Sequence, residues 1–226
     1  EDDGGAALTI VPSFRRDGTV MNLAAPQVSD IDFAEMAAGL SKIARFNGRY
    51  ACAAYSDAQH SVFCADALYA ETGDAVLAGC GLLHDGHEYL IGDLTRPFAS
   101  LIAVNVAAIL RDGGFAPDIA ERASGAVAEA IRVAKAAIDD AVFAAAGVGY
   151  PRLYPAYVRQ VHDMDERMLR AEGLALFGRK AAAHLPAARR PAPKLTSPIE
   201  PWGAAKAEMA FIDRLERYLG IVVRPA

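Results

Sequence analysis

Two histidines and two aspartates carry the chemistry this sequence can do. His84 and Asp85 are adjacent, in the run Gly81-Leu82-Leu83-His84-Asp85-Gly86-His87-Glu88. A neutral nitrogen donor beside an anionic oxygen donor is a half-site for a divalent metal. The apolar stretch Val76 to Leu83 leads the pair out of a core helix, and a buried Asp85 without a cation or several donors would be costly. On a helix, His84 and Glu88 stand four apart on one face, and Asp85 lies about 100° round, within reach of the same site.

His60 falls mid-helix in another segment, among Val62, Phe63, Cys64 and Ala67. A fourth donor comes from Asp163 or Asp165, and the helix face decides between them. Tyr157, Val161, Met164, Met168 and Leu169 form the apolar stripe, and Asp165 lies within it. Asp163 shares the polar face with Arg159, Gln160, Glu166, Arg167 and Arg170. Asp165 is therefore expected inward and Asp163 outward. Glu172, seven residues on, shares the inner face and reads as support for a ligand or as structural. His162 and His184 read as solvated; His87 reads as solvated, as a donor supporting a ligand, or as a substrate contact. No histidine lies between His87 and His162.

These residues need helices to hold them. Ser29-Asp30 reads as the cap of a helix over Ile31 to Ile43, and Ser56-Asp57 as the cap of the His60 helix, which ends at Gly73. Asp74 opens a helix through the His-Asp pair to Gly92. Further helices are expected from Pro97 to Arg111, from Pro117 to Ala146, from about Tyr154 to Gly178, and from Glu208 to Leu219. Leu8 to Val11 and Thr19 to Leu23, around Arg16-Asp17-Gly18, allow a short hairpin. The stretch Pro186 to Pro201 holds five prolines and reads as a loop, with Arg189-Arg190 as solvated surface. The fold class is all-α. Residues 1–28 form an N-terminal extension or hairpin, and 29–226 one helical domain.

Composition sets the outer limits. The 226 residues, 53% of them hydrophobic, can build one sizeable core. A net charge of −5 argues against a broad phosphate-neutralising surface for extended nucleic acid, while a small phosphorylated ligand needs only a metal and an arginine or two. No apolar run is long enough to span a bilayer, and no basic-then-apolar leader opens the chain. Cys52, Cys64 and Cys80 show no paired metal spacing. They read as small buried hydrophobes in a reducing compartment, so a cytoplasmic location is expected. A homodimer is the base-rate expectation for assembly.

The combined pattern of His60, His84-Asp85 and a late Asp165 resembles the HD-domain metal phosphohydrolase superfamily. Arg45-Phe46, His60 fifteen residues after Arg45, Glu88 and Asp93 are similar to the bacterial HD-domain 5′-deoxynucleotidases and their phage dNTP-hydrolase relatives. So are the stretches Arg45-Phe46-Asn47-Gly48, Tyr55 to Ser61, and Asp165 to Glu172. The resemblance covers roughly residues 30–178 and is more specific for fold and metal than for substrate.

It implies an HD-domain helical bundle in which His60, His84, Asp85 and Asp165 bind one divalent ion (Co, Mn, Fe, Ni, Zn or Mg). Glu88 and Asp93 would orient or deprotonate the attacking water, and Arg45 would hold the phosphate. The expected activity is that of a 5′-nucleotidase on (deoxy)nucleoside monophosphates. The alternatives are a (d)NTP triphosphohydrolase of the same fold and a metal-stabilised nucleotide-binding module without turnover. The missing intervening histidines disfavour a di-iron oxygenase. Phe46 stands where the deoxynucleotidases commonly carry Trp, which weakens the expectation of deoxy-over-ribo preference.

Overall fold

The computed structural model describes residues 9–149, 155–187 and 190–223. Over these the chain is mostly helical, with one two-stranded antiparallel sheet. The sheet pairs β1 (Pro12–Phe14) with β2 (Val20–Asn22), in the register Ser13 to Met21. The hairpin expected from sequence is present, but its first strand starts at Pro12; Leu8 lies outside the described residues.

Helix α1 (Phe33–Leu40) is shorter than the predicted Ile31–Ile43. Asp32, not Ser29-Asp30, is its cap, accepting from the Ala34 and Glu35 amides. Val28–Asp30 forms a separate single turn. Helix α2 (Asp57–Thr72) has its predicted ends: Ser56 Oγ accepts from the Gln59 amide, and Gly73 closes it in the left-handed region.

The predicted Asp74–Gly92 helix is divided. Helix α3 (Ala75–Leu83) stops just before the His-Asp pair, and a short α4 (Glu88–Ile91) follows. Between them the amides of Gly86 and Glu88 reach back only three residues, to the carbonyls of Leu83 and Asp85. His84 Nδ1 binds the Gly81 carbonyl at 2.7 Å, which occupies one of the last acceptors of α3. A side chain at Gly86 would place its Cβ 2.9 Å from the Leu83 carbonyl and 3.3 Å from Val142, so the tight turn needs glycine.

Helices α5 (Arg96–Asp112) and α6 (Pro117–Ala145) pack on each other, and Phe98, Leu101, Val104 and Ile109 of α5 are exposed. Helix α7 covers Pro155–Phe177 of the described residues; its predicted start at Tyr154 lies outside them, as does Arg189 of the proline-rich loop. The closing helix α8 (Ala204–Leu219) begins four residues before the predicted Glu208.

The core lies where α2 and α3 meet α7 and α8. Phe63, Leu77, Leu82, Leu83, Met164, Met168, Phe211 and Leu215 are almost wholly buried there. Gly81 sets the closeness of α2 and α3, since a Cβ there would fall 2.4 Å from Leu68 Cδ1. That closeness brings His60 of α2 up to the end of α3. Among the described residues no single helix is long and apolar enough to cross a membrane.

Candidate metal centre

Four of the predicted residues meet at one point. His60 Nε2 lies 3.3 Å from His84 Nε2, 3.6 Å from Asp85 Oδ2 and 3.4 Å from Asp165 Oδ1. His84 Nε2 lies 3.2 Å from Asp85 Oδ2 and 3.9 Å from Asp165 Oδ1. Donors about 2.1 Å from one ion stand about 3.0 Å apart at right angles and about 3.4 Å apart at a tetrahedral angle. Four of the five separations, 3.2–3.6 Å, lie close to that range, and His84 to Asp165 is wider at 3.9 Å, so these residues fit a divalent ion with Asp165 on its open side.

Each histidine is held with one nitrogen turned to this point. His60, fully buried on α2, meets Glu172 Oε1 at 2.7 Å through Nδ1. His84 gives Nδ1 to the Gly81 carbonyl. This is the support a metal-binding imidazole requires, since the outer partner fixes ring and tautomer. The histidines and Asp85 lie against the core, while Asp85 and Asp165 keep 17% and 20% of their side-chain surface exposed. The centre is open on the carboxylate side.

Asp165 points inward and Asp163 outward. Asp163 pairs with Arg167 at 3.6 Å and Arg190 at 3.2 Å on the far side of α7. Asp165 Oδ2 instead meets Arg96 at 3.5 Å. Glu172 is fully buried and takes three donors: His60 Nδ1, Tyr55 OH at 2.9 Å and Arg45 Nε at 3.1 Å. Burial alone would raise its carboxyl, but His60 and Arg45 hold it below the ordinary glutamate value.

Arg45 lies mostly inside the protein. Nε is committed to Glu172, and NH1 stands 3.5 Å from Asp85 and 3.6 Å from Asp57. The loop that delivers it is tied down: Arg45 N–H donates to the Tyr55 carbonyl, and Phe46 and Asn47 adopt left-handed backbone angles, φ 53° and 55°. Non-glycine residues there carry strain that the surroundings must hold. Phe46 packs edge-on to Phe177, with ring centroids 5.3 Å apart.

The carboxylates around the centre are crowded. Burial, then Asp85, Asp57 and Asp93, pushes Glu88 up to about 10. Burial also raises Asp57 to about 7 against the pull of Arg45, and raises Asp93. Asp85 moves the other way. Burial would raise it, but the His84 imidazole beside it holds it well below the usual carboxylate range. Four acidic groups with so little water are stable together only if a cation joins them or protons neutralise some of them.

Several residues of this site were not legible as such in the sequence. His87, for which solvent is one of three readings, is instead 4% exposed, and its Nδ1 meets Asp139 of α6 at 2.8 Å. Lys135, one turn earlier on α6, stands 3.7 Å from Glu88 Oε1. Asp57 reads as part of a helix cap, yet it lies wholly buried beside Arg45. Tyr55 gave no sign beyond its place in the motif. Lys135 and Asp139 are four apart on one face of α6, a weak signal, because such spacing is common on solvated helices. His162 and His184 are exposed, as expected. Cys64 and Cys80 are buried as expected, but Cys52 is exposed: it sits in the 49–54 loop, which the core does not cover. No protein-family model and no curated protein matches this chain.

Proposed function

We propose that this protein is a metal-dependent phosphohydrolase of the HD-domain type, acting as a 5′-nucleotidase on (deoxy)nucleoside monophosphates. The observation that carries the reading is the convergence of His60, His84, Asp85 and Asp165 on one point, with a buried Glu172 behind His60. A divalent ion held by these four would draw charge from phosphoryl oxygens and acidify a water at its open side.

The chain's own residues would do the rest. Glu88 is 4% exposed, with Oε2 unpaired and Oε1 near Lys135. It is the group to orient the attacking water and take its proton, once a cation offsets the burial and the neighbouring carboxylates that now raise it. Asp93, beyond α4, would share that task. Arg45 is anchored at one edge through Nε, and the loose 3.5–3.6 Å contacts of NH1 leave that end to turn toward a phosphate. Phe46, held edge-on by Phe177, would face the sugar.

One observation favours the triphosphohydrolase as a second reading. Arg96 is 63% exposed beside Asp165, where a longer phosphate chain would find a further cation. The test is a nucleotide panel with Co, Mn, Zn and Mg, following orthophosphate, pyrophosphate and tripolyphosphate. Orthophosphate with nucleoside from a monophosphate supports the nucleotidase. Tripolyphosphate with nucleoside supports the alternative. No product from any nucleotide, with metal bound, refutes both and leaves the non-turnover binding module.

A further inference from the structure

Cys64 lies one helical turn after His60 on α2 and is 1% exposed. Its Sγ stands 3.6 Å from His60 Nε2, the nitrogen turned to the centre. His60, Cys64 and His84 each offer one donor atom, all within 4.8 Å of one another. Burial and the i,i+4 contact with His60 agree with a small hydrophobe on the same helix face; the independent observation is that His84, from beyond α3, brings its donor atom into the same cluster.

We infer that Cys64 Sγ is a further donor to the metal centre and tilts it toward Zn(II) and Co(II) over Mn(II) and Mg(II). The inference rests on the metal-site reading above. A thiolate sulfur about 2.3 Å from an ion and an imidazole nitrogen about 2.0–2.1 Å from it stand about 3.1–3.8 Å apart at the 90–120° angles of a centre with five donors. The observed 3.6 Å meets that geometry. On coordination the thiol proton passes to solvent and a sulfur lone pair goes to the ion; no electron is transferred. Two carboxylates and two imidazoles serve any of the divalent ions. A thiolate among them discriminates, because soft sulfur binds Zn and Co far better than the oxygen-seeking Mg and Mn.

The experiment is a Co(II) titration of the metal-free full chain under anaerobic, reducing conditions, read by absorption. Wild type is expected to develop a sulfur-to-cobalt charge-transfer band in the near ultraviolet, rising in step with bound cobalt. Cys64→Ala should still take up cobalt but show no band, while Cys52→Ser and Cys80→Ser keep it. In competition, the preference for Zn(II) over Mn(II) should fall at least about 10-fold in Cys64→Ala. Cobalt uptake by wild type without the band overturns the inference and makes Cys64 a thiol packed beside the ion only. A band that persists in Cys64→Ala overturns it as well. Should Cys64→Ala not fold, the wild-type spectrum still decides, and Cys64→Ser must lose the band. No cobalt uptake at all would sink the metal centre itself, and since no nucleotide is present, that failure is distinct from a failure of the hydrolase reading.

Discussion

Glu172→Gln tests whether the support behind His60 governs the metal centre. The native carboxylate accepts on both oxygens: Oε1 from His60 and Tyr55, Oε2 from Arg45. Glutamine keeps one acceptor and turns an NH2 toward the other donors. If its oxygen serves His60 and Tyr55, the amide faces the Arg45 guanidinium; if it serves Arg45, the amide faces His60. Breaking a buried ion pair from one side costs about 3–5 kcal/mol. The lower end applies, because Arg45 keeps Asp85 and Asp57 at 3.5 and 3.6 Å. A loss of about 3 kcal/mol is a large part of the total stability of a domain, and at this chain length it lowers Tm by about 6–12 °C.

The metal readout is separate. Loss of the carboxylate that orients a metal-binding histidine typically weakens affinity about 10–100-fold, which is about 1.4–2.8 kcal/mol. The assays are thermal unfolding of the metal-free protein and calorimetric Zn(II) titration of the folded variant. Tyr55→Phe is the comparison, since it removes one donor and leaves the carboxylate; its effect on both readouts should be smaller. A Glu172→Gln protein with unchanged Tm and unchanged affinity would refute the reasoning. So would a stability loss with wild-type affinity, because Glu172 would then serve the fold and not the centre.

Asp85→Ala and Asp165→Ala should each bring metal content, by elemental analysis, close to background, while Asp163→Ala stays at the wild-type level; full occupancy without Asp85 would refute the ligand set. Glu88→Ala should retain the metal and lose about 10²–10⁴-fold in kcat, and unchanged kcat in the loaded variant would remove Glu88 from the reaction. In metal-free protein Glu88 is raised from 4.5 to about 10, so the folded state holds this proton more tightly than the unfolded chain. Stability from this group is full at or below the unfolded value and falls as pH rises toward 10. Glu88→Gln should therefore stabilise the chelated protein by an amount that grows between about pH 5 and about pH 9, and a gain independent of pH would contradict the assigned shift. A thiol reagent near pH 8 should modify one cysteine of the native protein, Cys52, and none after Cys52→Ser, because Cys64 is buried and burial pushes Cys80 up to about 12; rapid labelling of Cys80 would show α3 opening.

Local rules determined a good part of this protein. Ser56 and Gly73 bound α2 because a cap oxygen and a left-handed glycine are needs of the helix itself. The inward turn of Asp165 was legible because Val161, Met164 and Met168 fix the phase of α7, and phase follows from 3.6 residues per turn. What the same rules missed is the break after Leu83, where the His84 ring takes a helix carbonyl, and the whole outer ring of the site. Arg45 meets Glu172 across 127 residues of chain, and His87 meets Asp139 across 52. Periodicity says which face a residue occupies on its own helix. Which residue stands opposite is decided by how close two helices pack and at what height they cross. Here that depends on small contacts such as Gly81 against Leu68, so the partners of Arg45, His87 and Glu88 belong to the tertiary structure alone.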